Sequence, residues 1–388
     1  MKKITIFGST GSVGLSALDI IRQKPDEFRI STLVANTNAQ TVLEQALEFK
    51  PDTVCLYSES AAESIRAELP SGIKLISGDK GLMDAAMESK HDMILAASSG
   101  SASLLPVLSA LEAGCDVAVA NKEILVMAGA LFMQAAKKSG GLLLPVDSEH
   151  NAIFQCLEAC KDVKAIRRII LTGSGGPLKD VPLQRFGDLT QDKVLNHPKW
   201  SMGPKITVDS ATMMNKGLEI IEARWLFGVA VEQIEVLIHP EAIIHSMVEF
   251  IDGSIMAQMG PTDMKLPILH ALGYPRHIDY PDLKTDFVKL AQLNFEKPKQ
   301  EKFPCLRMAF EVAEAIDTTA PCVLNATDEI VVDAYLRDLI SFTDIPIIIE
   351  NVLTKHEQKK VNSLEDILNA DQWARDSARR ECQRAIKI

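Results

Sequence analysis

Lys3-Ile4-Thr5-Ile6-Phe7-Gly8-Ser9-Thr10-Gly11-Ser12-Val13-Gly14-Leu15-Ser16-Ala17-Leu18-Asp19-Ile20-Ile21-Arg22 reads as a β-branched strand, a turn with glycines three apart, and apolar residues at helical spacing. Strand Ile4 to Phe7 passes straight into helix Gly11 to Arg22, whose Leu15, Leu18 and Ile21 share one face. A pyrophosphate approaching such a helix start meets partial positive charge and unpaired N–H donors, provided no Cβ stands in the way. A tight turn without a ligand has the same composition. Its position, after the first strand of a βαβ series and at the opening of a helix, favours dinucleotide binding.

Outward from this stretch the alternation continues. Ile30 to Val34, Thr53 to Leu56, Ile73 to Ile76, Met93 to Ala96, Val117 to Ala120 and Leu142 to Val146 read as strands. Gln40 to Phe49, Leu104 to Glu112 and Ile124 to Lys138 read as amphipathic helices between them. This predicts an α/β fold, with residues 1–147 a Rossmann-like, doubly wound parallel sheet that binds the dinucleotide. The second strand ends in Ala35-Asn36-Thr37-Asn38, without the acid that bonds the ribose 2′-hydroxyl of NAD. That favours NADP, although no Lys or Arg stands there to meet a 2′-phosphate.

Residues 148–274 form a central α+β catalytic and connective domain, with strands Arg168 to Thr172, Ile234 to Ile238, Ile243 to Ile251 and Ser254 to Gln258. Residues 275–302, rich in proline and charge, read as a linker. Residues 303–388 read as a C-terminal helical bundle built from Cys305 to Ile316, Pro321 to Leu336, Phe342 to Lys355 and Leu364 to Ile388.

A net charge of −11 argues against nucleic acid and anionic membrane surfaces as partners, so local cationic and N–H groups must attract any phosphorylated ligand. No apolar run is long enough to span a bilayer. Seven cysteines outside any CxxC array suit a reducing compartment, and a strand that starts beside Met1 leaves no room for a targeting segment; the cytoplasm is the expected location.

Chemistry-bearing residues concentrate mid-chain. Asp147-Ser148-Glu149-His150 follows the apolar strand, and extended geometry points Asp147 and Glu149 to one side, where two like charges call for a cation. Taken alone, Asp147 or Ser148 capping a helix that starts at Asn151 is the simpler reading. Asp209 to Glu219 reads as part of one long helix. Asn215 and Glu219 share a face beside Lys216, and Ser210 lies near the helix start, where hydroxyl and N–H groups suit an anion. Solvated charges alone do not explain a helix with Asn, Ser and Gly, all poor helix formers, clustered together. Gly173-Ser174-Gly175-Gly176-Pro177 fits either a phosphate cradle or a bare turn. The segment 194–204, containing Asn196-His197-Pro198-Lys199-Trp200-Ser201-Met202-Gly203, fits an active-site lid or a surface loop pinned by a buried Trp.

In order along the chain, Gly8 to Gly14, Ala120-Asn121-Lys122-Glu123, Pro145 to Ala152, Leu171 to Pro177, Asn196 to Gly203 and Asp209 to Glu219 resemble the 1-deoxy-D-xylulose 5-phosphate reductoisomerase family over essentially the whole sequence. The resemblance implies a homodimer that uses NADPH and Mg²⁺ or Mn²⁺. It further implies metal-assisted retro-aldol and aldol isomerisation of a small phosphorylated sugar, followed by hydride transfer. Metal ligands fall on Asp147, Glu149 and Glu219. Substrate contacts fall on Lys122, Ser148, Glu149, Ser174, His197, Ser210, Asn215, Lys216 and Glu219, with Trp200 and Met202 as covering lid residues. Lys122, Glu149 and His197 take the catalytic roles. Thr10, Gly11, Ser12, Val13, Asn38, Asn121, Glu123 and Gly203 face the cofactor. Two positions depart from the family: Asn36-Thr37 replaces a small or basic pair, and Leu178 stands where an aromatic is common. Without the resemblance, a simple NADP-dependent dehydrogenase of a phosphorylated metabolite, or a non-catalytic nucleotide sensor, also fits.

Overall fold

Strands buried on both faces carry continuous apolar runs, and the inner ones of the N-terminal region, such as Met93-Ile94-Leu95-Ala96, do so. They are β1 (Lys2–Phe7), β2 (Phe28–Ala35), β3 (Thr53–Leu56), β4 (Lys74–Ser77), β5 (Met93–Ala96), β6 (Asp116–Val119) and β7 (Leu143–Pro145). Helices α1 (Ser12–Gln23), α2 (Ala39–Phe49), α3 (Glu59–Ile65), α4 (Gly78–Ala86), α5 (Leu104–Glu112) and α6 (Lys122–Ser139) alternate with them, and α7 (Ser148–Glu158) follows. The computed structural model describes residues 1–388 except 89–90, 159, 161, 201 and 387–388. Two of these exceptions touch the sequence reading, since residue 201 belongs to the expected lid and residues 387–388 to the expected last helix.

Packing divides the chain into two compact units. Met1–Ile124, Leu131–Asn151 and Asp263–Pro281 form one; Leu125–Ala130, Ala152–Thr262 and Asp282–Ile388 form the other. In the first, all seven strands pair in parallel in the order β4-β3-β2-β1-β5-β6-β7. The chain winds outward from β1 on one side and from β5 on the other. The crevice at the carboxyl ends of β1 and β5 is therefore the switch point at which such sheets take ligands.

The glycine turn sits there. Gly8 has φ +87°, and a Cβ on it would lie 2.4 Å from the Ala97 carbonyl oxygen beyond β5. A Cβ on Gly14 would lie 2.2 Å from the Gly8 oxygen, so these two glycines seat β1 against its neighbours and α1 against the turn. Gly11 is exposed, caps α1 through its backbone, and would place a Cβ no closer than 3.4 Å to any neighbour.

The second unit holds a mixed sheet of β8 (Ile166–Gly173), β9 (Ile234–Ile238), β10 (Ile244–Phe250) and β11 (Ile255–Met259), in the order β11-β10-β8-β9. Strands β8 and β9 are parallel, and β10 is antiparallel to both of its neighbours. Helices α8 (Gln191–Leu195), α9 (Pro204–Thr212) and α10 (Met214–Phe227) lie between β8 and β9 in sequence, and α11 (Lys265–Gly273) belongs to the first unit. The region expected as a linker contains a short α12 (Phe287–Leu290); beyond it α13 (Pro304–Glu314), α14 (Ala320–Leu336), α15 (Asp344–Lys355) and α16 (Leu364–Ala385) make the expected helical bundle. Among the described residues no helix is long and apolar enough to cross a membrane.

Two local expectations need correction. Asp147 to His150 are not extended: β7 ends at Pro145 and α7 begins at Ser148, three residues before Asn151. The Asp147 carbonyl accepts from the Asn151 N–H at 2.8 Å, and its Oδ1 accepts from the Ser148 N–H at 3.1 Å, so it occupies the helix-capping place. Nor is Asp209 to Glu219 one helix. Met213 adopts a left-handed φ of 62° between α9 and α10, while the Thr212 hydroxyl donates to the Asp209 carbonyl and accepts from the Met214 N–H. Ser210 therefore lies in the last turn of α9, and the new helix start belongs to Met214, Asn215 and Lys216.

Gly8→Ala should lower stability by roughly 2–4 kcal/mol, combining overpacking with positive-φ strain, whereas Gly11→Ala should cost about 1 kcal/mol or less. Thermal melts of the two variants check this; equal losses would show that the close approach at Gly8 does not constrain the sheet.

Candidate active site

In the first unit the turn after β6 is fixed by the N–H groups of Ala120 and Asn121, which both donate to the Ala96 carbonyl at 2.9 and 3.0 Å. Asn121, buried, donates through its Nδ2 to the Gly100 carbonyl at 2.9 Å. Helix α6 then starts at Lys122, a residue only 5% exposed, whose ammonium forms an ion pair with the Asp147 carboxylate. A lysine so enclosed requires such a partner, because an isolated buried charge is strongly unfavourable. His150, fully buried, places Nδ1 3.7 Å from Asp147 Oδ2. Burial alone would push the Asp147 carboxyl up, but the Lys122 ammonium and then the His150 ring hold it well below the usual carboxylate range. The Ser148 hydroxyl donates to Glu149 Oε2 at 2.5 Å. Lys122, Asp147, Ser148 and Glu149 thus come together near the ends of β6 and β7.

At the end of β2, residues Asn36 to Asn38 are exposed, and Asn38 caps α2 by accepting from the Thr41 N–H at 3.3 Å. Glu123, in the first turn of α6, is half-buried.

The second unit assembles the remaining polar residues around the turn after β8. Gly176 has φ +68°, and a Cβ there would lie 2.5 Å from the Ser210 carbonyl oxygen; one on Gly173 would lie 3.0 Å from Lys216 Cε. The turn is thereby pressed against the junction of α9 and α10. Lys216 donates to the Thr172 carbonyl and to Glu219 Oε2, both at 2.5 Å, and Asn215 donates to Glu219 Oε1 at 2.6 Å. Glu219, wholly buried, thus has a donor on each oxygen. Leu178, the departure from the family pattern, is also fully buried, so it acts in packing.

His197 has its protonation pattern written in its contacts. Nδ1 accepts from the N–H groups of Lys199 at 3.2 Å and Trp200 at 2.9 Å, so in the neutral ring the proton is on Nε2, which donates to the Ser174 hydroxyl oxygen at 3.1 Å. That oxygen also accepts from the Gly176 N–H at 3.3 Å, leaving the Ser174 O–H to donate elsewhere. Burial lowers the His197 pKa to about 4. The Trp200 ring lies 6.5 Å from that of His245. Met202 is half-buried, and Gly203 precedes α9, its carbonyl accepting from the Thr207 hydroxyl at 2.8 Å.

Sequence reasoning assigned no role to His150, although it stands three residues after Asp147 in what proves to be a helix turn. It also passed over Lys205, which pairs with Asp209 at 2.6 Å and Asp328 at 3.1 Å. The first four-residue spacing was readable; the partner more than a hundred residues away was not.

A doubly wound parallel sheet with an open glycine turn at its switch point, and a second unit with lysine, amide and hydroxyl groups around another glycine turn, define a dinucleotide-dependent enzyme of the Rossmann class. Family profiles described as 1-deoxy-D-xylulose 5-phosphate reductoisomerase match residues 4–129, and those describing its C-terminal domains match residues 143–227 and 259–377. The reductoisomerase of that name from Nitrosomonas eutropha is 46% identical over 387 residues, covering 98% of this chain and 94% of the relative. The solved enzyme from Zymomonas mobilis in complex with NADPH is 40% identical at a TM-score of 0.92, covering 98% of this chain and 99% of that one. Another solved relative, a DOX-P reductoisomerase in complex with NADPH, fosmidomycin and magnesium, is 39% identical at a TM-score of 0.90, with 99% and 98% covered. The chain belongs to the 1-deoxy-D-xylulose 5-phosphate reductoisomerase family.

Burial also lowers the pKa of His270 to about 4, with His277 adding to the effect, and its Nδ1 accepts from Asn151 Nδ2 at 3.1 Å. For both His197 and His270 the folded value lies below the unfolded imidazole's ~6.5. The unfolded chain therefore binds protons first, so their stabilisation is complete above that value and is lost as pH falls towards about 4. Proton NMR titration should place both midpoints near 4; an unshifted midpoint for His197 would show that its ring is not enclosed as the fold requires.

Proposed function

We propose that the protein converts 1-deoxy-D-xylulose 5-phosphate to 2-C-methyl-D-erythritol 4-phosphate with NADPH, by retro-aldol and aldol rearrangement and then reduction, supplying isoprenoid precursors. The observation that carries this reading is the buried Lys122–Asp147 pair in a chain that also has the open glycine turn. A simple dehydrogenase or a nucleotide sensor has no need of that pair, whereas the rearrangement needs proton handling beside acidic ligands.

The turn fits NADPH because Gly8 and Gly14 leave no side chain near the α1 start, Gly11 keeps the approach open, and Thr10, Ser12 and Val13 offer it backbone donors. The exposed Asn36 to Asn38, with no carboxylate to repel a 2′-phosphate, suit the NADP form, and Asn121, Glu123 and Gly203 complete the proposed cofactor contacts. Asp147, Glu149 and Glu219 fit Mg²⁺ or Mn²⁺, hard cations that take carboxylate oxygens. An ion held there would supply Lewis-acid polarisation to the substrate.

The chain's own residues supply the rest. In this reading Lys122, ion-paired with Asp147, and Glu149 hold and return protons. The Ser174 O–H, its oxygen already fixed by His197 and Gly176, donates to the phosphate with Ser210, Asn215 and Lys216. Holding the phosphate keeps the cleaved fragments in register for recombination, while Trp200 and Met202, on a lid at 194–204, exclude water.

This reading assigns 1–147 to NADPH, 148–274 to catalysis, 275–302 to a linker and 303–388 to the helical domain. It includes a homodimer, supported by the edge strand β11 with its exposed Ile255 and Met256. Seven free cysteines support a cytoplasmic location.

NADPH oxidation should require 1-deoxy-D-xylulose 5-phosphate, stop with a chelator and return with Mg²⁺ or Mn²⁺; metal-independent turnover would instead favour the simple dehydrogenase. Glu219→Gln should lower kcat by about a hundredfold or more while NADPH affinity stays within about twofold.

A further inference from the structure

A buried amide supports the N-terminal glycine turn from behind. Gln45 of α2 is 6% exposed and sits among the buried Val42, Leu43 and Ala46 of the same helix. An amide in such surroundings is unfavourable unless it is hydrogen-bonded. Its Nε2 donates to the Ser9 carbonyl at 3.0 Å. Because a carbonyl only accepts, the NH₂ end must be the one that faces it. Among the described residues no other donor reaches that carbonyl.

Backbone contacts fix the neighbouring groups. The N–H groups of Gly8 and Ser9 both donate to the Val34 carbonyl, at 2.8 and 3.0 Å, and the Gly11 N–H donates to the Gly8 carbonyl at 3.1 Å. The peptide joining Ser9 to Thr10 is thus the one whose orientation depends on a side chain. In a planar trans peptide the C=O and the following N–H point in opposite directions. With the Ser9 carbonyl turned inward to Gln45, the Thr10 N–H points away from it. Among the described residues that N–H has no acceptor, and the residues that follow it, Gly11 and Ser12, are exposed. Gln45 also lies two turns along the helix capped by Asn38, so one side chain ties the anion-binding turn to the helix next to it.

Resting on the NADPH reading above, we infer that Gln45 is a positioning residue for the dinucleotide: it touches no ligand, but by holding the Ser9 carbonyl inward it aims the Thr10 N–H at the pyrophosphate. A purely structural amide would lower the melting temperature and the active fraction, and leave KM values alone.

The test is Gln45→Met, which keeps the length and removes the donor. The Kd for NADPH by titration calorimetry, and KM for NADPH, should rise roughly tenfold, with kcat at saturating NADPH within about twofold and KM for the sugar phosphate unchanged. A lowered kcat with unchanged NADPH Kd and KM overturns the inference. In wild-type protein labelled with ¹⁵N-threonine, NADP⁺ should move the Thr10 amide proton downfield and slow its exchange; an unmoved Thr10 resonance overturns the inference even should Gln45→Met fail to fold. Wild-type protein that binds no NADPH overturns the cofactor reading and this inference with it, whereas wild-type binding matched by the variant overturns this inference alone.

Discussion

The close passage of main chain past main chain at Gly8 governs the first unit. A single added carbon there would lie 2.4 Å from the Ala97 carbonyl oxygen. Only at this separation can β1 end beside β5 with their exits diverging, one towards β2 and the other towards β6, and so leave a crevice between them. The same constraint seats α1, because Gly14 must in turn lie against Gly8. What remains exposed is the part of the turn without such neighbours, and it is there that backbone donors meet solvent.

Charge is handled alike in both units. Lys122 with Asp147, and Lys216 with Glu219, are lysine–carboxylate pairs with little or no solvent exposure. Removing one member of such a pair leaves a charge without compensation, so each pair persists until an incoming group replaces a partner. In the proposed function a cation would take over the carboxylates and a phosphate the Lys216 ammonium. The fully buried His150 near Asp147 completes the surroundings of the first pair.

Much of this was legible in the residues. Strand and helix periodicity gave the doubly wound sheet, the strands of the second unit and the C-terminal helices, because burial on one or two faces imposes its own spacing. The motif residues were legible as a set through resemblance. What periodicity did not convey was backbone geometry at two junctions. Asp147 to Glu149 read as extended, with a cap on a helix from Asn151 as the alternative, yet α7 already begins at Ser148; Thr212 and Met213 read as mid-helix, yet the Thr212 hydroxyl and the left-handed Met213 divide α9 from α10. Partners far apart in sequence, such as Lys205 with Asp328 and Gln45 with Ser9, have no local signal, since only the folded topology brings them together.

The break at Met213 has a mechanical meaning. An unbroken helix from Pro204 to Phe227 would be a rod of roughly 36 Å that carried any tilt at its Gly203 end directly to Glu219. With a left-handed residue between them, the axes of α9 and α10 are uncoupled. The first is held by Lys205, paired with Asp328 of α14, and by Ser210 against Gly176; the second is wedged where a Cβ on Gly217 would come within 2.5 Å of Ala309, so each helix is fastened by its own contacts.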